Sequence, residues 1–206
     1  LNENSLFYLN TSGKLHSVDI KSNNINWILN LTNKVTQVAS NLFDANPLTV
    51  EKNIVLVSSN SLLLAADTQY GNIYWQIPVV SKVKPIISGE LIYLLTDTNL
   101  VVCINLADGK IIWSKNVLSM LKKSNYEKVS KKIKNLKYLV IANDNILLFS
   151  NSHIIEISPL KQNVIQIKKL PFSIFSYPVF VNAKMHLLAD NKKIRSLNKK
   201  VGVSLN

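Results

Sequence analysis

Three tryptophans constrain this chain more than any other feature. Trp27, Trp75 and Trp113 are each preceded, at eight residues, by a short polar side chain: Asp19, Asp67 and Asn105. Four residues after each polar position stands a turn-forming residue, Asn23, Gly71 or Gly109. A second marker runs in step. Pro47 and Pro85 stand 20 residues before Asp67 and Asn105, and Pro178 stands 20 before Asn198. The last pair opens a further copy, from Pro178 onward, with Asn206 in the tryptophan position. A degenerate copy fits ahead of it, with Tyr138 in the proline position, Ser158 in the aspartate position and Gln166 in the tryptophan position. At the aspartate position the five copies are spaced by 48, 38, 53 and 40 residues. Self-similarity at such a period marks a repeat architecture, in which each unit buries its apolar faces against its neighbours.

The third copy shows the layout of a unit. Residues 85–87 read as a short strand, 88–90 as a turn, 91–95 as an apolar strand and 97–99 as a turn. Residues 100–104 form another strand, 107–109 a tight turn and 110–113 the fourth strand. Four short strands joined by polar turns, in about 40 residues, predict a β-propeller blade. The strands are near-continuous apolar runs because stacked blades bury both faces. Proline at the first strand sits where no ladder donor is lost. Blades are expected at 1–30, 47–80, 85–117, 138–170 and 178–206. The proline position of the first copy falls ahead of residue 1, so the chain is expected to start inside a blade.

Composition sets the outer limits. At 47% apolar and 17% charged residues, the chain builds a core and is not a disordered tail. The longest apolar runs, such as 62–66 and 100–104, are far short of the ~20 residues of a membrane-spanning helix. The opening residues lack the basic-then-apolar order of a signal peptide. Cys103 is the sole cysteine and lies in an apolar run, which reads as a core position. With His16, His153 and His186 scattered, no zinc site is expected. The net charge of +12 is uneven: residues 1–114 hold 7 basic and 8 acidic groups, 115–137 hold 8 and 1, and 138–206 hold 9 and 3. Arg195 is the one arginine, and no exposed aromatics for stacking are expected among the lysines, so no nucleic-acid partner is expected.

Ala65, Asp67, Gly71 and Trp75 resemble, at all four positions, the tryptophan-docking motif Ala-x-Asp-x-x-x-Gly-x-x-x-Trp of PQQ-like, quinoprotein-type β-propellers. Cys103, Asn105, Gly109 and Trp113 keep the Gly and Trp; Ser17, Asp19, Asn23 and Trp27 keep the Asp and Trp. The fourth and fifth copies have lost the Trp. The resemblance implies an all-β, partial propeller: about four to five blades of a ring of seven or eight, with one short helical insertion. It also implies that each tryptophan is a structural staple packed between adjacent blades.

Within that family the chain is most similar to the BamB-type lipoproteins, scaffolds of the bacterial outer-membrane β-barrel assembly machinery. That likeness implies a non-catalytic protein with protein partners such as that machinery, and no cofactor. It implies a periplasmic location, with any outer-membrane lipid anchor outside this chain. One alternative is part of a PQQ-dependent quinoprotein dehydrogenase, with PQQ and calcium in its funnel. Such an enzyme needs a cluster of oxygen ligands, a carboxylate base and, typically, an adjacent cysteine pair. The pair is missing, and Glu51, Glu90, Glu127, Glu156, Asp97, Asp144 and Asp190 form no recognisable constellation. Another alternative is a generic envelope propeller that senses or binds a ligand.

Residues 115–137 are an insertion rich in lysine. Leu118, Leu121, Val129, Ile133 and Leu136 recur at roughly helical spacing. The run 124–127, Ser-Asn-Tyr-Glu, reads as a capping box for a helix over 125–134. Two readings stand. Lys122, Lys123, Lys128, Lys131, Lys132 and Lys134 could present a basic amphipathic helix to a partner or to anionic headgroups. Alternatively, a solvated excursion docks its apolar side on the propeller rim.

Overall fold

A computed structural model describes residues 4–31, 47–59, 62–133, 135–182, 184–189 and 193–198. Asn206, expected in the fifth tryptophan position, and Lys134 of the insertion lie outside the described residues. The chain divides into two compact units, Leu1–Asp97 with Val101–Ser114, and Thr98–Leu100 with Lys115–Asn206.

The first unit carries three sheets. The first is β1 (Ser5–Leu9), β2 (Lys14–Asp19) and β3 (Ile25–Asn30). The second is β4 (Thr49–Glu51), β5 (Ile54–Ser58), β6 (Leu63–Asp67) and β7 (Ile73–Ile77). The third is β8 (Ile86–Ser88), β9 (Leu91–Leu95), β10 (Leu100–Asn105) and β11 (Ile111–Asn116). The second unit opens with two short helices, α1 (Val117–Lys123) and α2 (Glu127–Ser130). Its sheets are β12 (Leu136–Ala142), β13 (Asn145–Ser150), β14 (His153–Ser158) and β15 (Asn163–Lys169), then β16 (Val179–Val181), β17 (Lys184–Leu188) and β18 (Ile194–Asn198). Every sheet is a meander, its strands ordered as they follow in the chain.

One local device recurs between the third and fourth strands of a unit. In the second sheet, the Asp67 carboxylate accepts the N–H groups of Gln69, Tyr70 and Asn72. Asp19 accepts from Lys21 and Ser22, Asn105 from Ala107, and the Ser158 hydroxyl from Lys161. A short polar side chain thus satisfies turn N–H groups that have no ladder partner. Four residues on, the backbone is left-handed in every case: Asn23 (φ 57), Gly71 (φ 75), Gly109 (φ 72) and Gln162 (φ 50). The fourth copy has lost its signature residues and still makes the same turn.

The strand after the turn then gains one residue. The register shifts between Ser17 and Val18, between Ala65 and Ala66, and between Glu156 and Ile157. This bulge re-aims the returning strand. It sets Trp27 opposite Ser17, Trp75 opposite Ala65 and Gln166 opposite Glu156. The small first residue of the motif therefore lies beside the bulky last one.

Packing follows the sheet faces. In the first unit, Leu15, Val55, Val57, Leu64 and Ala66 form one buried cluster, with Trp27 and Leu29 against it. That joins the face of β2 and β3 to the face of β5 and β6. In the second unit, Leu147, Phe149 and Ile154 meet Met185, Leu187 and Leu197. Burying side chains of this size contributes about 1.5–3 kcal/mol each before chain entropy is counted.

The insertion departs from expectation. No helix spans 125–134. α1 starts earlier, because the Asn116 side chain accepts the Ser119 N–H at 3.0 Å and caps it. Ser124 ends α1 instead of opening a helix, its N–H donating to the Met120 carbonyl. Asn125 then turns left-handed (φ 63), which breaks the helix, and α2 begins without a side-chain cap. The limits shift too: β11 runs through Asn116 and β12 begins at Leu136, so 117–135 separates the sheets rather than 115–137.

Removing the turn acceptor tests this account. Asp67→Ala strands three N–H donors and is expected to cost about 1–3 kcal/mol in urea unfolding. Asp108→Ala, at an exposed carboxylate that accepts only from Lys110 within its turn, is expected to move the midpoint less.

Candidate functional site

The tryptophan motif assembles a repeated dock in the first unit. The Trp27 indole lies over Gly71 of the next sheet, and its Nε1–H donates to the Thr68 carbonyl at 3.1 Å. The Trp75 indole lies over Gly109, and its Nε1–H donates to the Leu106 carbonyl at 2.9 Å. In both docks the accepting carbonyl belongs to the residue just after the aspartate position. A Cβ on either glycine would come within 2.7 Å of two ring carbons. Glycine is required here twice, for its positive φ and for the approach of the ring. Asp19 and Asp67 shape the turns, and Ala65 lies across from Trp75. Trp113 is half-buried and tilted against Tyr93, ring centres 6.2 Å apart. Phe7 and Trp27 stand in the same relation at 5.9 Å.

The fourth copy fills the same row with different chemistry. Glu156 takes the motif's alanine position and Gln166 its tryptophan position. Glu156 is buried, yet its two oxygens are both engaged: Asn145 donates to Oε1 at 2.7 Å and Gln166 to Oε2 at 2.6 Å. A carboxylate removed from water needs such donors. Sequence reasoning placed Gln166 correctly in the row and missed its partner. The available signal was a charged residue two before Ser158, where the motif keeps alanine.

Tyr93 and Cys103 form a second pair that sequence reasoning did not join. They face each other across β9 and β10. Burial, with a smaller contribution from Cys103, pushes the Tyr93 hydroxyl up to about 12. Burial also raises the Cys103 thiol above its ordinary value, so it stays protonated and unreactive.

The basic insertion is a lobe of two short helices. Lys122, Lys123, Lys128, Lys131 and Lys132 are exposed, while Val117, Met120, Leu121 and Ile133 are buried. Lys131 pairs with Glu127 at 2.9 Å, an exposed i,i+4 contact of little energetic weight. His153, at the start of β14, is buried; its Nδ1 lies 3.0 Å from the Ser152 hydroxyl. Burial first, then the charges of Lys169 and Lys132, hold its imidazole below the ordinary value.

Glu51, Glu90, Asp97 and Asp144 sit at exposed strand ends and turns. Among the described residues, no three of His, Cys, Asp and Glu gather into a metal-holding group, and no helix is long and apolar enough to cross a membrane.

Meandering blades locked by an indole on the next blade's glycine define a class, the PQQ-like β-propeller. A sequence model of the family described as the outer membrane protein assembly factor BamB matches residues 1–201, and the chain belongs to that family. No curated protein matches the sequence. Among solved structures, BamB from Moraxella catarrhalis is similar at 12% identity and TM-score 0.70, over 97% of this chain and 56% of that one. A europium-containing methanol dehydrogenase is similar at 8% identity and TM-score 0.72, over 98% of this chain and 49% of that one. A computationally designed protein, Ika8, is similar at 10% identity and TM-score 0.68, over 96% of this chain and 56% of that one. Such identities show the fold alone. The chain spans about half the length of the solved structures it matches (56%, 56% and 49%).

Gly71→Ala meets both the Trp27 ring and a positive φ, and is expected to cost about 2–5 kcal/mol in urea unfolding. Gly89→Ala has the φ of 61° but open space around its Cβ, and is expected to cost about 1–2 kcal/mol. For His153, the unfolded chain takes up a proton near pH ~6.5 that the folded chain resists. Stability is therefore expected to fall as pH drops below that value. His153→Gln should lose that part of the fall, read as the difference in urea midpoint between neutral and mildly acidic buffer.

Proposed function

We propose that this chain is part of a non-catalytic propeller scaffold of the cell envelope, acting on the periplasmic side in outer-membrane β-barrel assembly. The observation that carries this reading is the BamB family match, which runs through residues 1–201 and includes every described blade. Physical features support it. Indole docks give the first unit a rigid frame, and loops on a rigid frame are where propellers engage partners. Among the described residues, the segments 78–85 and 170–178 between successive sheets are short beside the basic lobe. The partners under this reading are proteins of the assembly machinery, and no cofactor is needed.

A second reading is favoured by the likeness to the methanol dehydrogenase, at TM-score 0.72. Under it, PQQ and calcium would belong to the part of the ring that this chain does not span. A generic ligand-binding propeller of the envelope is compatible with the same fold.

Affinity purification of the tagged full-length protein from mildly solubilised envelopes separates these readings. Recovery of the outer-membrane barrel-assembly complex is the expected result. Absence of that complex, together with dye-linked alcohol oxidation that depends on added PQQ and Ca²⁺, would overturn the scaffold.

A further inference from the structure

Charge divides between the two parts of the chain in a way that composition does not explain. Residues 1–114 carry 7 basic and 8 acidic groups, and residues 115–206 carry 17 and 4. A chain-wide preference for lysine would raise both parts alike. Two of the four acids are already engaged, Glu156 by Asn145 and Gln166, and Glu127 by Lys131. Basic groups therefore outnumber acidic ones in this part by 13.

The lobe of α1 and α2 concentrates it. Lys122 and Lys123 end α1, Lys128 lies in α2, and Lys131 and Lys132 follow it, all exposed. Between them Val117, Met120, Leu121 and Ile133 turn inward. The lobe thus offers cations and no apolar stripe. Its field extends into the adjoining sheet, because Lys132 and Lys169 of β15 act on the same imidazole, His153.

We propose that this lobe is an electrostatic contact for the anionic phospholipid headgroups of a membrane surface. The chemistry favours lipid over an acidic protein segment. Recognition of a defined carboxylate partner draws on bidentate arginine and buried aromatic anchors. Here every cation of the lobe is a lysine, a point charge on a flexible stem. A fluid field of phosphates needs only accessible cations at high density. Because Val117, Met120 and Leu121 of α1 are buried in the protein and Leu118 is half-buried, the contact is superficial and screened by salt, not an inserted amphipathic helix. The inference shares with the proposed function only a place beside a membrane.

Vesicle sedimentation of the full-length protein tests it. The protein is expected to bind phosphatidylcholine vesicles containing about 30% phosphatidylglycerol and not pure phosphatidylcholine, with binding lost at about 0.5 M salt. Replacing Lys122, Lys123, Lys128, Lys131 and Lys132 together by Gln is expected to weaken binding by about tenfold or more. Replacing Lys14, Lys21, Lys52, Lys84 and Lys110 by Gln removes the same charge from the other part of the chain and should leave binding intact. Glutamine keeps helix propensity, and an unchanged thermal melt checks the fold. The salt titration of the unaltered protein stands even if a variant misfolds. The proposal is overturned if the unaltered protein ignores anionic vesicles at low salt, or if both variants lose binding equally. It is also overturned if the lobe variant binds lipid normally but loses an acidic protein partner. Retained recovery of the assembly complex by a variant that no longer binds vesicles would separate this inference from the proposed function.

Discussion

Much of this architecture depends on an indole seated on a glycine. A tryptophan ring can bury roughly 200 Å² but must find an acceptor for its N–H. In the first unit the neighbouring sheet supplies both needs within one turn, a bare Cα at Gly71 or Gly109 and a raised carbonyl at Thr68 or Leu106. Each other element of the motif serves that seat. The aspartate position gathers turn N–H groups, and the residue after it supplies the accepting carbonyl. The left-handed residue closes the turn without a side chain in the ring's path. The bulge on the returning strand aims the next tryptophan at the next seat.

The fourth copy shows what happens when a unit loses its tryptophan. The turn, the positive φ at Gln162 and the bulge persist, so the backbone device does not need the tryptophan. The row itself becomes polar, with Glu156 held by Asn145 and Gln166. Cohesion in that unit then rests on ordinary apolar contact, led by Phe149, Leu170, Ile174 and Leu187. Directional docking and non-directional packing are two solutions to joining sheets, and this chain uses both.

Functionally, the frame and the charge are separate. The well-docked blades are close to electrically neutral, whereas the lobe and the sheets after it are basic. None of the lobe's lysines belongs to the docking motif. A scaffold of this kind can change its surface chemistry through an insertion without disturbing the seats that hold its blades.

The fold was largely legible from sequence because the dock is local in code: aspartate, glycine and tryptophan at set spacings specify turn, seat and ring, and the strands between them are short apolar runs. The blade limits differ from the strands by a few residues, and Leu136 and Lys137 belong to β12 because the register continues to Ser150. The helix of the insertion was misread because Ser124 has the residue type of an N-cap and the geometry of a C-cap, a choice made by Asn125 turning left-handed. Spacing alone determined that this chain is a repeat of four-stranded blades with indoles at fixed stations. Tertiary structure alone decided which glycines Trp27 and Trp75 meet, that Glu156 is buried and satisfied, and that the lobe buries Val117, Met120, Leu121 and Ile133 while exposing five lysines. Those outcomes depend on groups distant in sequence competing for one buried volume, a quantity that no local spacing encodes.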